Sequence, residues 1–161
     1  MKKYRVNTAM FVLSIVYSVF LVTLSVTLAV MARPLSAVIF FLIALPFFFL
    51  IYRYGSTVRI TDEGISLCFL KKERMKMKWN EIGEITVCGQ KIFNAGNKKK
   101  CGTLYIIISR EKLDDDKRFN MMLKWPPRDR IYFRFSKEGL FNIQLHYTTP
   151  VEKYNIGMLD I

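Results

Sequence analysis

The sequence predicts an α+β membrane protein: a two-helix transmembrane hairpin, then an antiparallel β-sheet domain closed by a C-terminal helix. Three observations carry this. No charged residue occurs from Thr8 to Ala32 or from Leu35 to Tyr52. Beyond Gly55 the apolar runs turn short, β-branched or aromatic, separated by turn residues. And 52% hydrophobic residues coexist with 25 Lys and Arg among 161 positions, which one soluble domain holds only if the two are segregated.

At ~1.5 Å per residue the first apolar run is roughly 37 Å long and the second roughly 27 Å, against a hydrocarbon core of ~30 Å. Both reach across a bilayer, so residues 1–54 are expected to form the hairpin, with spans at about 8–32 and 35–52. A signal peptide is the competing reading of the first run, because "KKYR" is basic and "VMA" at Val30 to Ala32 looks like a cleavage site. The run is too long for a signal core, however, and a second apolar run follows at once. A buried soluble hairpin is disfavoured because "VIFFLIALPFFFLIY" offers water no polar face. Its Pro46 is better tolerated in membrane helices.

Lys2, Lys3 and Arg5 precede the first span and Arg53 and Arg59 follow the second, while the connecting turn carries only Arg33. The positive-inside bias then predicts a multi-pass plasma-membrane protein with both termini cytoplasmic and residues 55–161 as a cytosolic domain. Cys68, Cys88 and Cys101 lack a C-x-x-C spacing and fit reduced thiols there. With His146 they offer no close pair of metal ligands, so no metal and no cofactor are expected.

In the cytosolic part "STVRIT", the turn at Asp62 to Gly64 and "ISLCFL" read as a hairpin. "KKER" is a second turn into "MKMKW", where Met75, Met77 and Trp79 should face inward and Lys76 and Lys78 outward. "EITVCG" is the next strand, Gln90 to Gly102 an exposed loop, and "TLYIIIS" a strand whose unbroken apolar run predicts a central position. Consecutive Pro126 and Pro127 make Arg110 to Asp129 an irregular connection. "RIYFRF" is the last strand, and Ser136 is the expected cap of a helix of about eleven residues that ends before Pro150.

"VRITDEGISL" at Val58 to Leu67 and "KWNEIGEI" at Lys78 to Ile85, placed after a two-span hairpin, resemble the bacterial membrane-anchored proteins with a pleckstrin-homology-like (PH-like) domain. The resemblance runs from Gly55 to Ile161. Its motif positions here are Gly64, Trp79, Glu81 and Ile82. It implies a bent antiparallel sheet or barrel closed at one corner by the helix, and it implies no catalytic site. The phosphoinositide loop of eukaryotic relatives is basic, whereas this loop is "TDEG", so that ligand site is not carried over.

All 13 acidic residues follow the second apolar run, as do the basic residues apart from Lys2, Lys3, Arg5 and Arg33, leaving that part basic by about eight charges. Lys71, Lys72, Arg74, Lys76 and Lys78 are the candidate contacts to an anionic leaflet. Nucleic acid is not expected, because no aromatic stacking platform accompanies the lysines. No Walker loop, H-E-x-x-H or G-x-S-x-G occurs, and Asp114 to Asp116 read as a solvated cluster, so no enzymatic activity is expected.

The expected function is therefore a non-enzymatic interaction module at the cytoplasmic membrane surface, contacting a protein partner, another copy of itself or anionic lipid headgroups. The alternative is an accessory subunit of a transporter or envelope-stress complex, whose hairpin makes the specific contact. Ser25 to Ala29, "SVTLA", supplies a small-x-x-x-small spacing for it.

Overall fold

The computed structural model describes residues 2–89, 102–114, 117 and 130–156. The chain divides into two units, Arg5–Ser56, and Met1–Tyr4 together with Thr57–Ile161.

The first unit is a helical hairpin, α1 (Thr8–Val30) and α2 (Pro34–Tyr54). Asn7 caps α1, its side chain accepting from Met10 N at 3.1 Å. Pro34 starts α2, where its missing N–H costs nothing. The seam is built from small residues: Ser14, Ser18 and Ser25 are buried on α1, and Ala37 and Ala44 on α2. Ser25 Oγ donates to Ala37 O at 2.7 Å across the seam. Such residues let backbones approach where no hydrophobic force separates helix from lipid.

Ala29 is exposed, so the Ser25–Ala29 spacing does not form one contact stripe. Both helices are long and apolar enough to cross a membrane. At most 17% of either apolar window is buried, whereas the core helix of a soluble protein is mostly buried.

The second unit holds two four-stranded sheets. The first has the order β1-β2-β3-β4, with β1 (Lys2–Arg5), β2 (Thr57–Thr61), β3 (Gly64–Phe69) and β4 (Lys72–Lys78). The second has the order β7-β6-β5-β8, with β5 (Glu84–Gly89), β6 (Leu104–Ser109), β7 (Ile131–Arg134) and β8 (Glu152–Tyr154). A 3-10 turn, Trp79–Glu81, joins β4 to β5, and β7 packs near β2 and β3. Among the described residues the sheets do not close into one barrel, which corrects the barrel form of the expectation.

The run predicted to be central is so. Ile106, Ile107 and Ile108 of β6 are at most 1% exposed, with β5 on one side and β7 on the other. The predicted hairpin β2–β3 is present, paired from Thr57↔Cys68 to Thr61↔Gly64. The closing helix α3 is shorter than expected, Lys137–Gln144, and is capped by Ser136 Oγ accepting from Gly139 N at 3.0 Å. Gly139 lets it seat closely, since a Cβ there would stand 2.9 Å from the Phe133 ring.

Two strands went unpredicted. β8 lies beyond the helix and pairs parallel with β5. β1 precedes the first apolar helix, where its charges were read as a flank. It is tied down by Tyr4, whose ring stacks on Phe133 at 5.4 Å and whose hydroxyl accepts from Asn142 Nδ2 at 2.6 Å.

Burial raises the Tyr4 pKa above its ordinary value, while the Asn142 hydrogen bond lowers it. A raised folded pKa means the stability from this group is intact below the unfolded value of ~10 and is lost as pH rises through the folded one. Alkaline titration of wild type against Tyr4→Phe is expected to show that loss only in wild type. Tyr4→Ala is expected to cost about 1–2 kcal/mol in chemical denaturation.

Candidate functional site

The register across β2, β3 and β4 sorts the side chains into two faces. Val58, Leu67 and Met75 form one row and Ile60, Ile65 and Met77 another, both apolar. Arg59, Ser66 and Lys76 form a row on the opposite face, followed by Thr61, Gly64 and Lys78. The alternation expected for "MKMK" is therefore present: Met77 is 1% exposed, while Lys76 and Lys78 are exposed.

The five basic candidates do not share one face. Leu67 pairs with Met75 but Cys68 pairs with Glu73, so Arg74 is the extra residue of a β-bulge. Beyond it the alternation reverses, and Lys72 stands opposite Phe69. Lys76 is engaged within the sheet, its Nζ 3.2 Å from Glu63 Oε2 and its carbonyl accepting from Arg110 Nη2 at 3.1 Å.

That leaves a different cluster at the β3–β4 turn, where Lys71, Lys72 and Arg74 are exposed around Leu70. Leu70 is 82% exposed and holds a left-handed φ of 54°, a conformation that costs a leucine of order 1 kcal/mol. Sequence reasoning missed Leu70. The signal was there in "FLKKER", where a bulky residue stands at a turn position that Gly or Asn usually fills.

The position of this turn follows from the pairing. Thr57 lies opposite Cys68, so Leu70 sits at the end of the sheet where β2 begins. The acidic Asp62–Glu63 turn is at the other end of the same hairpin.

The motif residues serve the fold. Trp79 Nε1 donates to Thr61 O at 3.0 Å and its ring stacks on His146 at 5.1 Å, tying the 3-10 turn to the chain just beyond α3. Trp79→Phe keeps the stack and loses the hydrogen bond, and is expected to cost about 1 kcal/mol in a thermal melt. Glu81 accepts from Lys78 N at 3.4 Å and lies 3.6 Å from Arg110 Nη2, and Ile82 is buried. A β-carbon on Gly64 would stand 2.2 Å from the Met77 carbonyl oxygen, so only glycine fits where β3 meets the end of β4.

One buried carboxylate escaped the sequence reading. Glu84, 4% exposed, accepts from Thr86 Oγ1 and from Leu113 N at 2.8 Å, fastening the segment after β6 to β5. Glu84→Ala strands that buried N–H and is expected to destabilise by about 3 kcal/mol in urea unfolding.

Among the described residues no group of His, Cys, Asp and Glu is placed to hold a metal. Cys68 and Cys88 are buried and unbridged. Cys101, Asp115, Asp116 and the loop Gln90 to Cys101 lie outside the described residues. No family model, curated protein or solved structure matches the chain.

Proposed function

We propose that the chain is a non-enzymatic, two-span plasma-membrane protein whose cytosolic PH-like domain works at the membrane surface, resting its β3–β4 turn on the anionic leaflet. The observation that carries this is exposed Leu70, flanked by Lys71, Lys72 and Arg74 at the end of the sheet where β2 begins. An apolar tip with a basic collar matches the two forces available there, insertion among headgroups and attraction to anionic lipid.

Topology is supported from the same fold. Lys2–Tyr4 and Thr57–Ile161 belong to one unit, and one sheet joins β1 to β2. Strands of one sheet lie on one side of a bilayer, so the hairpin between them crosses an even number of times. Cleavage after Ala32 would remove β1, which argues against a signal peptide. Lys2, Lys3 and Arg5 before the hairpin and Arg53 at its end favour the cytoplasmic side. The PH-like reading rests on two antiparallel-rich sheets, the closing helix and the structural roles of Gly64 and Trp79.

The test is photo-crosslinking of the full chain in nanodiscs that carry an anionic lipid with a reactive headgroup. The expected label lies on the peptide containing Leu70 to Arg74 and fades with added salt. Label elsewhere in the domain and none on that peptide would refute the contact.

A second reading makes the hairpin the specific contact, as an accessory subunit of a transporter or envelope-stress complex. One observation favours it. Ser18 Oγ is buried without a hydrogen-bond partner among the described residues, beside a cavity of about 280 Å3 lined by Ile15, Val22, Thr23 and Phe48. A polar side chain on a partner helix would satisfy it. Exchanging the hairpin for an unrelated one separates the readings: activity retained favours the cytosolic domain, and activity lost with the protein still inserted favours the helices.

A further inference from the structure

A polar cavity of about 340 Å3 opens on the face of the first sheet that carries Arg59, Ser66 and Lys76. Five charged side chains line it: Arg59, Asp62, Glu63, Glu73 and Lys76. Lys76 and Glu63 pair with each other at 3.2 Å. Asp62 is fully exposed, its carboxylate 3.9 Å from the His146 ring.

The other two stand apart. Arg59 Nε is buried and has no hydrogen-bond partner among the described residues. Glu73 forms no ion pair with it, and the register explains why. Arg59 belongs to the Ser66 row and Glu73 to the Cys68 row, two strands away and two residues along, about 12 Å between Cα atoms by strand spacing and rise. A buried N–H left open is costly, and in native proteins such a group has a partner in the working state.

We infer that this groove binds a small zwitterion that carries an oxo-anion and an ammonium group, the anion on Arg59 and the ammonium on Glu73. An anion alone would meet the Glu73 and Glu63 carboxylates, and a cation alone would meet Arg59. A ligand with both charges satisfies both walls at once. Phosphoethanolamine chemistry fits, whether as a soluble metabolite or as a lipid headgroup. The site shares none of Leu70, Lys71, Lys72 or Arg74, so this inference and the leaflet contact stand or fall separately.

The test follows the Arg59 side-chain N–H by nitrogen NMR on the full chain in nanodiscs. Soluble O-phosphoethanolamine is titrated into nanodiscs of phosphatidylglycerol, and a parallel sample contains phosphatidylethanolamine instead. Inorganic phosphate and ethanolamine serve as half-ligands. A saturable shift with the zwitterion, at least about ten-fold tighter than with either half, is expected. Response in the lipid arm alone assigns the headgroup as the source, and response in the soluble arm assigns a metabolite.

Glu73→Gln should weaken the zwitterion about ten-fold and narrow its advantage over phosphate. Calorimetry on Arg59→Gln should show binding lost with the melting temperature kept. Should Arg59→Gln fail to fold, Glu73→Gln still reads the charge pairing. No shift in either arm up to millimolar ligand, or phosphate binding as tightly as the zwitterion, overturns the inference.

Discussion

Replacing Lys71, Lys72 and Arg74 together by Gln is expected to reduce lipid crosslinking of the β3–β4 turn about a hundred-fold without unfolding the protein. Each basic residue near an anionic leaflet contributes ~1 kcal/mol, so three contribute ~3 kcal/mol, slightly more than the ~2.7 kcal/mol of a hundred-fold ratio. All three are exposed, and none lies in the apolar rows Val58–Leu67–Met75 or Ile60–Ile65–Met77, so the melting temperature should barely move. Lys76→Gln and Lys78→Gln are the matched control. Lys76 already pairs with Glu63 and both project from the opposite side of the bulge from Lys72, so they should leave crosslinking within about two-fold of wild type. Leu70→Gly separates the two forces: it relieves the left-handed strain, stabilising the fold by up to about 1 kcal/mol, while it removes the apolar tip and weakens labelling.

Gly64→Val is expected to be the most damaging single change to the strand unit, costing about 3 kcal/mol or more in denaturant unfolding. The added Cβ meets backbone, the Met77 carbonyl at 2.2 Å and Lys78 Cα at 2.8 Å, and backbone cannot rotate away as a side chain can. The strands must part locally, which disturbs the neighbouring Ile65↔Met77 pair in the core. Gly64→Ala should cost somewhat less. If both variants melt within a degree of wild type, the close approach of β3 and β4 is wrong.

The parts of this fold that were legible in the sequence are those whose cause is local. The two apolar runs, the hairpin through Asp62–Gly64, the Ile106–Ile108 run and the Ser136 cap each carry their reason within a few residues. The parts that were not legible depend on distant partners. "KKYR" becomes a strand only because β2 lies beside it and Phe133 receives Tyr4, and nothing in those four residues separates a strand from a positive flank. "EKY" is a strand only against β5. The reversal of faces at Arg74 comes from pairing Cys68 with Glu73, and periodicity in "KERMKMK" alone cannot reveal it. For the same reason the lysines of β4 read as one patch, while the pairing distributes them between two faces and a turn. Arg59 and Glu73 are fourteen positions apart in sequence, and only the three-strand register brings them to one cavity.

The place of β1 also constrains how the protein is made. Its strand partner is separated from it by the whole of α1 and α2, so β1 leaves the ribosome before both helices and belongs to a sheet that cannot form until they have been synthesised. At roughly 5–20 residues per second, the N-terminal strand waits for several seconds with its donors and acceptors unpaired. Three charges in "KKYR" keep that waiting segment soluble. On the two-span reading proposed above, completion of the first sheet is a check on insertion: a chain with a single helix inserted would leave β1 and β2 on opposite faces and could not close the sheet.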